Sequence, residues 1–216
     1  MLKGIFSRFT QIMVVYIILL KLCLVGSLAF GDECSAEMLQ KIENYFNNLK
    51  VIQAEFVQLD NDGTTQKGAL YLRKPDKVKF EYLSPKHKVL LVNGDKVTYY
   101  DYELEEASYL PGKSTAIALL AKGSINIQKD LAVKKCTIIR NELEVLLGNI
   151  DPETNLDLLI VLQIEPMCMS NIATVDGDLV VSELTFHNVQ HVTTLDKKIF
   201  EFKDPRFFNL NDAERE

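Results

Sequence analysis

After Lys50 the chain takes up a two-residue hydrophobic rhythm, punctuated by turn residues. Ile52, Ala54 and Phe56 alternate with Gln53, Glu55 and Val57; Leu70 and Leu72 follow, then Val78, Phe80 and Tyr82 beyond Pro75. Neighbouring side chains on a strand point to opposite faces, so this spacing buries one face of an antiparallel sheet and leaves the other polar. Asn61-Asp62-Gly63, Pro75 and Asn93-Gly94 punctuate the pattern. Asn-Gly accepts the positive φ that a tight hairpin needs. The spacing predicts a meander of short strands near 68–73, 77–83, 88–92, 97–100 and 107–110.

Strands resume near 135–139, 143–147, 156–164, 172–175 and 179–186, the last two turning on Asp176-Gly177, and residues 198–202 form a final strand. Two helices interrupt the sheet. Ser35 caps the first, in which Met38, Leu39, Ile42, Tyr45, Phe46 and Leu49 recur at helical spacing. The second is short, running from Ser114 to Ala121 before Gly123. The class is α+β, and a single sheet this long tends to curl or close.

Residues 1–31 stand apart. Lys3 and Arg8 precede an apolar run from Ile12 to Phe30, and Ala29-Phe30-Gly31 places small residues before Asp32. This is the pattern of a secretory signal peptide. An uncleaved membrane anchor is the alternative, since the run approaches spanning length. The segment holds three basic residues and no acids, so its loss takes the net charge from −6 to −9. So acidic a domain lacks the clustered cations that displace counterions from nucleic acid. Export leads to an oxidising compartment where disulfides persist. Cys34, Cys136 and Cys168 then allow one bridge and one free thiol, with the pairing open.

No catalytic constellation stands out. Residues 107–114 carry Ala107 where a phosphate-binding loop needs glycine, and Pro111 lacks the N–H such a cradle uses. His187 and His191 fall in a strand, where four residues span roughly 13 Å, too far to share one metal. Met167-Cys168-Met169 offers soft sulfur in isolation, and Glu103, Glu105 and Glu106 belong to a solvated run. There is no Gly-x-Ser-x-Gly elbow. What remains is the apolar face, which is either a packed core or a partly hollow one that takes an apolar ligand.

Several stretches resemble a known family in order and spacing. "VIQAEFVQ" after a helix, "KGALYLRKPDKVKFEYLSP", "KVLLVNGDKVTYYDYELEEASYLP" and "STAIALLAKG" are similar to successive segments of the LolA family, the periplasmic outer-membrane lipoprotein carrier proteins. Residues 36–125 carry the resemblance well; from 126 to 205 it rests on the strand pattern, "DGDLVVSELTFHNV" and "FEFKDP".

The resemblance implies a curved antiparallel sheet forming an incomplete β-barrel, closed by helices around an apolar cavity, in a single domain over residues 32–216. It implies a non-enzymatic monomer of the periplasm, without a cofactor, that binds lipoprotein acyl chains. The cargo would come from an inner-membrane ABC transporter and pass to an outer-membrane receptor or to that membrane directly. Leu70, Leu72, Val78, Phe80 and Tyr82 are the cavity candidates, with Phe56 and Leu91, while Lys77 and Lys79 are expected to face water. The family has an arginine before this proline that helps hold a lid shut. Lys74 occupies that place here, keeping the charge without the planar fork of donors. A lipid-binding or sensor protein of related fold, a membrane-anchored scaffold and a secreted hydrolase are the competing readings.

Overall fold

The computed structural model describes residues 32–111, 120–148 and 156–207. The apolar segment expected over 1–31, and all but the end of the helix expected over 114–121, lie outside them.

A two-residue strand β1 (Asp32–Glu33) leads into helix α1 (Ala36–Asn48). Ser35 caps α1 as expected, its hydroxyl accepting from the Met38 N–H at 3.2 Å. A six-strand meander follows: β2 (Val51–Asp60), β3 (Thr65–Arg73), β4 (Lys77–Ser84), β5 (Lys88–Asn93), β6 (Lys96–Asp101) and β7 (Glu106–Pro111). Residues 120–126 and a one-turn helix α2 (Ile127–Asp130) lead to a second meander. It comprises β8 (Ala132–Ile139), β9 (Glu142–Gly148), β10 (Asp157–Gln163), β11 (Cys168–Asp176) and β12 (Leu179–His191).

All twelve strands form one antiparallel sheet in the order β1-β8-β9-β10-β11-β12-β2-β3-β4-β5-β6-β7. The meanders join where β12 pairs with β2, with Phe186 opposite Phe56. Strands β1 and β7 are the two edges, so the sheet is open and curled, not a closed barrel. Asn93-Gly94 and Asp176-Gly177 make the predicted hairpins, with Gly94 at φ 64° and Gly177 at φ 59°.

The inner face carries the main core. Alternate residues of β2–β6 and β8–β12 pack there against Ile42 and Phe46 of α1 and against Leu120, Ala121, Ile125 and Ile127. Cys34 and Cys136 are joined by a disulfide, Cα–Cα 5.3 Å, which ties the start of α1 to β8; Cys168 remains a free thiol.

The outer face of β3–β6 is not bare. Residues 192–207 cross it, and Leu195 and Phe200 bury Val89 and Leu91 in a second cluster. The strand expected over 198–202 is instead a 3-10 turn, Lys197–Phe200, capped by the Asp196 carboxylate accepting from the Lys198 N–H. Ile199 and Phe200 both pack on this cluster, which alternating strand geometry would forbid. The Arg73 guanidinium lies 5.1 Å from the Phe200 ring centre. Lys79 does not face water as expected: its side chain is 18% exposed and pairs with Glu81 at 3.2 Å. Lys77 is half-buried too, its Nζ donating to Asn93 Oδ1 at 2.7 Å.

Candidate functional site

The predicted apolar residues gather on one surface, with one exception. Phe56, Leu70, Leu72, Val78 and Phe80 are all 0–3% exposed on the inner face, and Tyr82 packs against them half-buried. The ladder explains this. Leu70 lies opposite Phe80 and Leu72 opposite Val78, so their side chains share a face. Leu91 is opposite Lys79 and therefore points outward, into the cluster beneath Phe200. The continuous run Val89-Leu90-Leu91-Val92 hides which parity faces inward, so Leu91 leaves the inner set.

Phe56 is the hub. Its ring meets Phe80 edge-on at 5.5 Å and Tyr82 edge-on at 5.1 Å. It reaches Tyr82 across Gly68, the residue directly opposite both. A side chain there would collide with the Glu81 carbonyl oxygen and come within 2.6 Å of the Phe56 ring, so only glycine fits. The Tyr82 hydroxyl donates to Gln58 Oε1 at 2.8 Å, and burial first, with Asp60 nearby, holds its pKa far above the ordinary tyrosine value. Tyr82 thus presents ring to the core and hydroxyl to a polar rim.

The second half of the inner face comes from residues that the sequence reading did not single out. Leu143, Val145 and Leu147 of β9 and Leu158, Ile160 and Leu162 of β10 are buried beside α1. Their alternation is visible in the sequence. The resemblance is thinner there and drew no attention to them.

Among the described residues, the inner face holds an apolar void of about 10 Å³, bounded by Ile42 and Phe46 of α1, Ile125 and Ile127, and Val145 and Ile160 of the sheet. A single water needs at least ~10–15 Å³ on this measure, so this void admits no acyl chain unless its lining moves.

The cover is held by a small set of polar contacts. Lys74 Nζ donates to Phe46 O at 2.8 Å, and Lys50 Nζ to Asn47 O at 3.3 Å, placing two cations at the C-terminal end of α1 where its dipole favours them. Tyr45 accepts the Met169 N–H of β11 at 2.9 Å, and burial raises its hydroxyl pKa. The Asp76 N–H donates to Ala121 O at 2.7 Å.

Burial, with the Lys50 charge second, lowers the Lys74 pKa to about 8. Below pH 8 Lys74 is charged in folded and unfolded chains alike, and its burial cost is fully present. Between pH 8 and its ordinary value of 10.5 the folded chain releases the proton first, so stability from this group rises with pH. Lys74→Met abolishes that rise. Urea midpoints of the two proteins, compared pH by pH, show a difference that shifts in favour of wild type from pH 8 to 10. A pH-independent difference contradicts this.

The other candidates do not assemble a site. His187 and His191 are exposed on β12, and no cluster of metal-ligating residues occurs among the described residues. Met169 is buried on the inner face, while Cys168 is partly buried beside it.

Residues 47–203 match the family model described as outer membrane lipoprotein carrier protein LolA. The chain belongs to the LolA family. Among its relatives, the outer-membrane lipoprotein carrier protein of Methylococcus capsulatus is 24% identical over 199 residues, covering 88% of this chain and 93% of the relative. That of Pseudomonas aeruginosa is 27% identical over 192 residues, covering 85% and 91%. A LolA superfamily structure from Nitrosomonas europaea is similar with a TM-score of 0.46 at 10% identity, covering 78% of this chain and 98% of that one. The LolA match takes in β2–β12 and the 3-10 turn, and Cys34 lies before it.

Proposed function

We propose that this LolA-family chain carries lipoproteins across the periplasm by holding their acyl chains on the inner face of the sheet. It receives them from an inner-membrane ABC transporter and hands them to an outer-membrane receptor or to that membrane itself. The observation that carries the reading is an inner face lined by apolar side chains from both meanders, under a cover fixed by few polar bonds, in a chain of the LolA family.

Phe56, Leu70, Leu72, Val78, Phe80 and Tyr82 then contact the acyl chains, and Lys74 helps keep the cover down when no cargo is bound. Each methylene kept from water contributes about 0.8 kcal/mol, so a lipid anchor crosses the periplasm only inside such a face. A closed empty state lowers the apparent affinity by the fraction of chains that are open, which favours release at the destination. Residues 1–31 act as the signal peptide and are removed before Asp32.

The test is to incubate the secreted domain with membranes containing the transporter and a triacylated lipoprotein. The expected product is a soluble one-to-one complex whose carrier begins at Asp32 by mass spectrometry. Lipoprotein that stays in the membrane pellet contradicts the carrier reading.

A further inference from the structure

The outer face of the sheet holds a groove that the inner face does not use. Residues 192–207 cross β3–β6 there, and beside them lies an open space of about 400 Å³, within the size range of ligand clefts. Its apolar floor is Val89 and Leu91 of β5 with Ile199 and Phe202 of the crossing segment. Tyr102 forms a wall. Its ring stacks on His87 at 4.0 Å, and the Tyr100 ring meets it edge-on at 4.7 Å. The Tyr102 N–H donates to His87 O at 3.1 Å. The ring is thus fixed before anything binds, which spares the cost of ordering it.

Three lysines line the same space: Lys79, Lys198 and Lys203. Lys79 pairs with Glu81, whose other oxygen lies 3.6 Å from His87. The Lys198 and Lys203 side chains are exposed and make no hydrogen bond or ion pair among the described residues. Glu201 is the acid among the lining residues. Two uncompensated cations therefore stand over an apolar floor, on a chain of net charge −6.

We propose that this groove docks an acidic peptide segment of a partner protein. An apolar side chain of the segment lies on Val89, Leu91 and Phe202, and its carboxylates meet Lys198 and Lys203. Complementary charge at the rim steers the encounter and fixes the register, while the floor supplies the buried contact. An anionic membrane fits less well. Glu103, Glu105 and Glu106, exposed just beyond Tyr102, repel a broad anionic surface but leave room for one narrow chain. The groove lies on the face opposite the acyl site, so the inference does not rest on the carrier reading.

The probe is a fluorescent nine-residue peptide in which leucine and phenylalanine alternate with glutamate. It is expected to bind the wild-type protein and to weaken as salt rises from about 50 to 500 mM, because the rim charges are exposed. Lys198→Glu together with Lys203→Glu is expected to lower its affinity at least about tenfold, since like charges then face each other. Lys96→Glu together with Lys197→Glu is the control. Both residues are exposed, neither lines the groove, and the net charge changes equally. Its affinity is expected to stay within about threefold of wild type, the scale of a remote, screened charge. Bound peptide also shields Lys198 and Lys203 from an amine-reactive label read by mass spectrometry. No binding to wild type, or equal losses in the two double variants, overturns the proposal. So does a free protein whose Lys198 and Lys203 resist the label before peptide is added, because its own chain then fills the groove. Binding to phosphatidylglycerol vesicles without binding to the peptide overturns it in favour of a lipid surface.

Discussion

Replacing Cys34 and Cys136 by serine together is expected to lower stability by about 4–5 kcal/mol, since a bridge closing a loop of roughly 100 residues removes that much denatured-state entropy. The loop here spans 102 residues. The native contacts around the bridge cannot replace it: β1 contributes two residues to the sheet, and the Cys34 N–H to Cys136 O bond at 3.3 Å is the last rung before α1 begins. Without the bridge the start of α1 is free to lift from β8. Urea titrations of the oxidised wild type and the double variant measure the effect. A midpoint shift worth less than about 1 kcal/mol shows that the unbridged chain already holds these ends together.

Phe80→Ala is expected to cost about 3–5 kcal/mol, the usual range for a buried phenylalanine. Phe80 is 1% exposed, lies between Leu70 and Leu90 on the neighbouring strands, and receives the edge of Phe56. Two strand neighbours hold the backbone around it, so the space left cannot collapse fully. That space is apolar and is expected to stay dry and accept a small hydrocarbon. Leu83→Ala on the same strand is the control: Leu83 is 60% exposed, and its loss stays within about 0.5 kcal/mol. Equal losses in the two variants contradict the burial of the inner face.

Much of this architecture is legible in the sequence, for reasons that particular residues show. Leu70, Leu72, Val78 and Phe80 declare their face because polar neighbours separate them, and the turns at Asn93-Gly94 and Asp176-Gly177 fix the hairpins beside them. Leu91 does not declare its face, because its apolar run also serves the outer cluster formed with Phe200, more than a hundred residues away. The 3-10 turn at Lys197–Phe200 is masked by the same circumstance, since two apolar residues in succession there pack on an already formed sheet. The pairing of β12 with β2, which unites the meanders, has no local signal at all.

The site divides in the same way. Lys74 was identifiable from its place before Pro75, and its partner proves to be the last turn of α1. The amount of open space was hidden, since a packed face and a hollow one need the same alternation.

The central claim is that acyl chains lie on the inner face. Its most direct test places a photocrosslinking residue at Leu72 in one protein and at Leu91 in another, each loaded with a lipoprotein whose acyl chains are labelled. The account predicts that the Leu72 protein crosslinks to the acyl label and the Leu91 protein does not. Labelling from Leu91, or from neither position in a soluble complex, would contradict it.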